Sequence, residues 1–193
     1  EAVAADPELK VSELPLLTDE EWRQLVVELN KTETAASDDD ATCVTELFEA
    51  AARRSPHEIA VSYGEQQLRY EALDQRAYQL AGFLQSLGVR PEVPVAICLD
   101  RSLEMVVAIL GVLKAGGAYV PIDSSYPLER IAFIIGDAHA QILLTEKKLA
   151  ESFADYDGRV VCLDSDWSKI NEFGTSPAAK TVSPDNLAYI LYT

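Results

Sequence analysis

Leu113-Lys114-Ala115-Gly116-Gly117-Ala118-Tyr119-Val120-Pro121-Ile122-Asp123 packs a helix end, a two-glycine turn and a buried strand into one short run. Immediately upstream, Leu103 to Leu113 is apolar at helical spacing. Gly116 suits the left-handed residue that closes a helix, and Ala118 to Ile122 reads as a short strand ended by its own proline. The stretch is therefore the second half of a strand-helix-strand unit. Taken alone the pattern fits many α/β proteins, in which the glycines serve the turn and close packing.

Working outward, the order becomes strictly alternating. Strand Val95 to Leu99, helix Leu103 to Ala115, strand Ala118 to Ile122, helix Pro127 to Ala138 and strand Gln141 to Thr145 follow one another. Pro127 stands in the favoured first turn of its helix. A shorter helix around Lys147 to Phe153 leads to strand Val160 to Leu163. The strands are continuously apolar, which implies burial on both faces, and such an order predicts a mainly parallel sheet with right-handed crossovers and helices on its faces. Ser165 to Pro184 reads as a polar connector, and Leu187 to Tyr192 as a last apolar strand.

Before this alternation, Thr42 can cap a helix with Val44, Leu47, Phe48 and Ala51 on one face, running to Arg54. Ile59 to Tyr63 and Gln67 to Arg69 alternate around Gly64-Glu65 as a hairpin. A long helix follows from about Tyr70 to Leu87, with Gly88 at the closing position. Residues 1 to about 40 read as an attachment. Thr18-Asp19-Glu20-Glu21 is a capping box, and one amphipathic helix should follow to about Asn30, with Trp22, Leu25, Val26 and Leu29 on one face. Asp38-Asp39-Asp40 reads as a solvated loop.

Composition removes several function classes. The chain has 193 residues with 48% hydrophobic content, enough for one good core. With 16 Lys plus Arg against 32 Asp plus Glu, its formal charge of −16 should repel nucleic acid and anionic lipid. Cys43, Cys98 and Cys162 are far apart in apolar surroundings, which suits reduced thiols in a cytoplasmic protein. His57 and His139 have no partner at metal-ligand spacing. The longest uncharged run in a helix, Met105 to Leu113, is far shorter than the about 20 residues that span a bilayer. The opening on Glu1, without a basic leader, and the stop one residue after an apolar strand suggest a segment of a longer protein.

Several segments together resemble one family. Leu68-Arg69-Tyr70-Glu71-Ala72-Leu73, Leu113 to Asp123, and Asn186-Leu187-Ala188-Tyr189-Ile190-Leu191-Tyr192-Thr193 resemble, in order, the first three core motifs of the adenylation domains of non-ribosomal peptide synthetases. Tyr126-Pro127 with Glu129-Arg130-Ile131 adds a secondary match. Leu14 to Thr32 resembles the linker from an upstream condensation domain, which separates this family from stand-alone acyl-CoA synthetases. The resemblance implies an interdomain linker over residues 1–40 and the incomplete first part of the large N-terminal subdomain over 41–193. One departure is Ser124, where the family usually has proline after the aspartate of the second motif.

The activity implied by the resemblance is that of an adenylate-forming ligase in secondary metabolite biosynthesis. An amino acid and Mg-ATP give aminoacyl-AMP and pyrophosphate, and a carrier-protein phosphopantetheine thiol then accepts the aminoacyl group. ATP and Mg²⁺ would be bound mainly by residues beyond this chain. Thr193 alone matches the phosphate-binding loop; no catalytic, metal-ligating or substrate-binding residue is expected here, so residues 1–193 should be inactive alone. The implied partners are the rest of the adenylation domain, the condensation domain, the carrier domain and the amino acid, with no nucleic acid or membrane. The alternatives are an acyl- or aryl-CoA synthetase-like ligase and a non-catalytic scaffold of the same fold. Among other polar residues, Lys114 is expected to complement its helix dipole, Asp123 to cap the following turn, and Asp100 with Arg101 to form a local salt bridge or helix start. Tyr189 and Tyr192 are expected to pack within or at the rim of the sheet.

Overall fold

The computed structural model describes residues 17–30, 43–174 and 182–193. The chain divides into two units, Glu1–Ala41 and Thr42–Thr193.

In the first unit the Thr18 capping box forms as read. Glu21 N–H donates to Thr18 Oγ1 at 3.3 Å, and Thr18 N–H donates to Glu21 Oε2 at 2.8 Å. These two donors at the head of a helix are otherwise unpaired, which is why the Thr-x-x-Glu spacing starts one here. Helix α1, Asp19–Trp22, then widens into a π-helical stretch, Arg23–Glu28, closed by Leu29 N–H to the Gln24 carbonyl at 2.9 Å. The expected single amphipathic helix is thus regular for only one turn, because apolar spacing does not register an added residue per turn. Its stripe is uncovered: Trp22 is 52% and Leu29 65% exposed. Leu14 to Leu16, Asp38 to Asp40 and the expected cap Thr42 lie outside the described residues.

The second unit opens with α2, Val44–Arg54, whose cap position is Cys43. Strands β1, Ile59–Tyr63, and β2, Gln66–Arg69, form the expected antiparallel hairpin, turning at Gly64 with φ 58°. Helix α3, Tyr70–Ser86, follows directly, and Gly88 takes φ 94° just past its end. The alternating part then runs β3 Pro94–Cys98, α4 Leu103–Ala115, β4 Ala118–Ile122, α5 Leu128–Asp137 and β5 Ile142–Thr145. It ends with α6 Lys147–Ala150, a 3₁₀ turn Glu151–Phe153, β6 Arg159–Cys162 and α7 Trp167–Ile170. Among the described residues, no helix is long and apolar enough to cross a membrane.

The quoted turn behaves as its residues require. Gly116 closes α4 at φ 96°, its N–H donating to the Leu113 carbonyl, while Gly117 N–H donates to Val112. At the head of α4, the Ser102 hydroxyl accepts Met105 N–H at 3.2 Å. Pro127 differs from expectation by one position: it precedes α5 in an extended conformation at ψ 141° and does not begin the first turn.

The four strands are parallel in the order β4-β3-β5-β6. Alternate residues of β3 feed two cores. Val95 and Ile97 join Leu144 and Val161 beneath α3 and α4, whereas Ala96 and Cys98 join Val120, Ile122 and Leu143 against Ile131, Ile134 and Ile135 of α5. Both faces are therefore covered, the condition that continuously apolar strands require. The order reverses between β3 and β5, as in doubly wound sheets.

Two further expectations need correction. The connector Ser165 to Pro184 contains α7, whose Ile170 is fully buried and anchors it to the α3 side of the core. Its isolated apolar residues carry no periodicity, so they read as loop. The Leu187 to Tyr192 stretch is a single parallel bridge, Tyr119 to Tyr189, with one neighbour and no full ladder.

Candidate functional site

The segment leading to Thr193 lies along β4. Glu92 Oε1 accepts Asn186 Nδ2 at 2.7 Å and Leu187 N–H at 3.2 Å. Tyr119 N–H then donates to Ala188, and Ile190 N–H donates to Tyr119, each at 3.0 Å. Side chains alternate from there. Ile190 and Tyr192 pack on the α5 core, whereas Leu187, Tyr189 and Leu191 are exposed on the other side. Tyr189 keeps its ring beside Tyr119, with centroids 5.7 Å apart, and the Tyr192 hydroxyl donates to Asp137 Oδ2 at 2.5 Å. Both tyrosines thus sit at the rim of the sheet, and that bond to Asp137 holds the Tyr192 phenol above its ordinary pKa. Thr193 itself is exposed.

Beside this segment a cleft of about 540 Å³ opens over the carboxyl ends of β3 and β4, lined by Leu99, Arg101, Asp123, Tyr126, Leu191 and Tyr192 among others. In open parallel sheets this edge is where ligands collect, because strand-to-helix loops present their polar groups there. Asp123 is occupied with its own turn. Its Oδ1 accepts Ser125 N–H at 2.9 Å and the Ser125 hydroxyl at 2.7 Å, as an Asx turn does. Those bonds lower the Asp123 carboxyl below its usual range. Structural capping is therefore its role in this structure.

Asp100 departs from the local reading. Ser102, and not Asp100, starts α4, and the salt-bridge partner comes from the far side of β5. Lys148 Nζ lies 2.6 Å from Asp100 Oδ2 and 3.3 Å from Glu146 Oε2, while Asp100 N–H donates to Glu146 Oε1 at 3.3 Å. Ser124 completes the cluster, donating to Asp100 Oδ1 at 2.5 Å. A proline at 124 has no hydroxyl to make this bond, so the departure from the family pattern has a structural counterpart. The Lys148 and then the Ser124 bonds lower the Asp100 carboxyl, and Asp100 and then Glu146 raise Lys148.

Lys114 is where the sequence reading missed most. Its side chain is 2% exposed, with Nζ 2.7 Å from Glu49 Oε1 and 3.0 Å from Asp74 Oδ1. The ammonium also lies 3.7 Å from the Tyr78 ring centroid, and the Tyr78 hydroxyl donates to Glu49 at 2.6 Å. Asp74 Oδ1 makes the charge contact without an aligned hydrogen bond. Lys114 thus ties α2, α3 and α4 together, far more than a helix-dipole role. Only the distance of Glu49 and Asp74 in sequence hid it. The three cysteines form no disulfide with one another, and burial pushes Cys98 up to about 11. His57 lies 3.5 Å from Glu71, and His139 Nδ1 is 2.8 Å from the Asp137 carbonyl, so each ring has a simple local partner.

With the site described, four similarities bear on it. A family model described as "AMP-binding enzyme" matches residues 48–193. A linear gramicidin synthase of Brevibacillus parabrevis is 42% identical over 193 residues, covering all of this chain and 4% of that protein. Chondramide synthase cmdD of Chondromyces crocatus is 42% identical over 195 residues, covering 100% of this chain and 5% of its own length. Among solved structures, the nonribosomal peptide synthetase FmoA3 in its AMPPNP-bound form superposes with TM-score 0.78 at 33% identity, covering 99% of this chain and 20% of that one. The chain therefore spans a small part of each relative. Its fold and nearly all of its second unit agree with one family: the chain belongs to the AMP-binding enzymes.

Proposed function

We propose that this chain is the first part of an amino-acid adenylation domain in a non-ribosomal peptide synthetase, with residues 1–40 as interdomain linker and 41–193 as the opening of the N-terminal subdomain. The observation that carries the reading is the segment Asn186 to Thr193. It is held along β4 so that it delivers Thr193 to the carboxyl-end side of the sheet, beside the cleft lined by Leu191 and Tyr192. A hydroxyl there, followed by small residues, can bind phosphate oxygens through side-chain and backbone donors.

In the proposed reaction an amino-acid carboxylate oxygen attacks the α-phosphorus of ATP, and the bond to the bridging oxygen of pyrophosphate breaks. Charge grows on the phosphate oxygens during this step, and donors fixed beforehand stabilise it. Thr193 contributes one such hydroxyl. Mg²⁺, the partner ion of ATP, would be held mainly by the phosphates and by residues beyond this chain, where it would neutralise phosphate charge. The aminoacyl group then passes to the phosphopantetheine thiol of a carrier domain, with the upstream condensation domain and the rest of the adenylation domain as further partners. The setting is the cytoplasm.

The test is ATP-pyrophosphate exchange with the complete adenylation domain and with residues 1–193 alone. Amino-acid-dependent exchange is expected from the complete domain, and none from the fragment. Exchange driven by carboxylic acids without an amino group would point to an acyl- or aryl-CoA synthetase-like ligase. A complete domain that neither binds nor exchanges ATP would be a scaffold.

A further inference from the structure

Along the segment that ends at Thr193, the backbone bonds to β4 among the described residues are those of Tyr119 with Ala188 and Ile190. Past Ile190 the chain is held by a side chain. Tyr192 packs its ring on the α5 core and donates its hydroxyl to Asp137 Oδ2 at 2.5 Å, one residue before Thr193.

Asp137 is an unexpected residue for its place. It is the last residue of α5, where the carbonyl end of the helix dipole disfavours a negative charge. Nothing in the local helix accounts for a carboxylate there, whereas the distant tyrosine does. The helix that carries it is fixed by Ile131, Ile134 and Ile135, all nearly fully buried. A bond from a rigid element to the residue before a loop limits where that loop can start.

We propose that Asp137, acting through Tyr192, is a positioning residue for nucleotide phosphate at the turn beginning with Thr193. The proposal rests on the phosphate-loop reading above. Asp137 touches no substrate; it sets the direction in which the chain leaves the sheet.

The experiment measures AMPPNP affinity by calorimetry, with exchange kinetics, on the complete adenylation domain. Tyr192→Phe and Asp137→Ala should each weaken AMPPNP binding by about tenfold, the size of one well-placed hydrogen bond. The double variant should be no weaker than the weaker single one, because both changes remove the same bond. Asp137→Asn, which keeps a carbonyl acceptor, should restore affinity to within about threefold. The amino-acid KM should stay unchanged while the ATP KM rises, and thermal midpoints should move by no more than about 3 °C, which separates positioning from loss of fold. Single variants within twofold of the unaltered domain, losses that multiply, or an amino-acid KM that rises in step would overturn the proposal alone. An unaltered domain that binds no AMPPNP would overturn the phosphate-loop reading and this proposal together.

Discussion

Replacing Lys114 with methionine should cost the Thr42–Thr193 unit about 3–5 kcal/mol, the range found when one partner of a buried ion pair is removed. Methionine matches the length of the side chain, so the loss reports charge more than volume. What remains is Glu49 and Asp74, whose carboxylates have side chains only 20% and 25% exposed, facing a site with no cation between them. Typical domains have about 5–15 kcal/mol in total, so roughly a fifth or more of the stability is at stake. Urea denaturation checks it: the midpoint should fall with an unchanged slope.

The same site has a signed pH dependence. Burial raises the Glu49 carboxyl, but the bonds from Lys114 and Tyr78 outweigh it, and the net shift is downward. A depressed carboxyl contributes stability above its unfolded value of about 4.3, and that contribution is lost as pH falls through the folded value. Tyr78 is raised, first by burial and then by its bond to Glu49, so its contribution is present below about pH 10 and declines above it. In Lys114→Met the acid limb should flatten. An unchanged midpoint and acid limb would mean that the ion cluster is energetically idle.

A second large effect is expected where α3 crosses α4. A Cβ built on Gly111 would lie 2.6 Å from Leu80 Cδ2 and 2.8 Å from its Cγ, and Leu80 is 0% exposed with no room to yield. Gly111→Leu should destabilise by about 3 kcal/mol or more, at the upper end of overpacking costs. Gly111→Ala sets two terms against each other: about 1 kcal/mol of helix propensity in its favour and about 1–3 kcal/mol of overpacking against it. The net change should be a modest loss. Leu80→Ala alone should cost about 2–5 kcal/mol through its cavity, and combining it with Gly111→Ala should cost less than the two single losses together. Additive losses in denaturation would show that the helices do not meet at this point.

Local signals carried much of this fold. Leu103–Ala115 and Ala118–Ile122 fall on their predicted bounds, because a capped helix, a left-handed glycine and a buried strand are each specified within a few residues. What depends on distant partners was not legible. Lys114 meets Glu49 across a sequence separation of 65, and Tyr192 meets Asp137 across 55. Helix α7 is similar: Trp167 gains its place by lying under the Arg76 guanidinium, 4.4 Å from the ring centroid, which no short-range pattern announces. In the candidate site, the expectation for Thr193 rests on the family motif alone, since a threonine at a strand end has no periodicity of its own. The Asp123 turn was readable from chemistry, because an aspartate two residues before a serine N–H closes on itself.

The reversal in strand order between β3 and β5 has a consequence for approach. Thr145 Oγ1 bonds the Cys98 carbonyl at 2.9 Å across those strands, and above it Asp100, Ser124, Glu146 and Lys148 are satisfied by one another. These ions occupy the β3–β5 part of the carboxyl edge, and Asp100 and Ser124 also border the cleft over β3 and β4. Whatever enters that cleft therefore meets, in Asp100, a carboxylate whose charge is already engaged by a neighbouring ammonium.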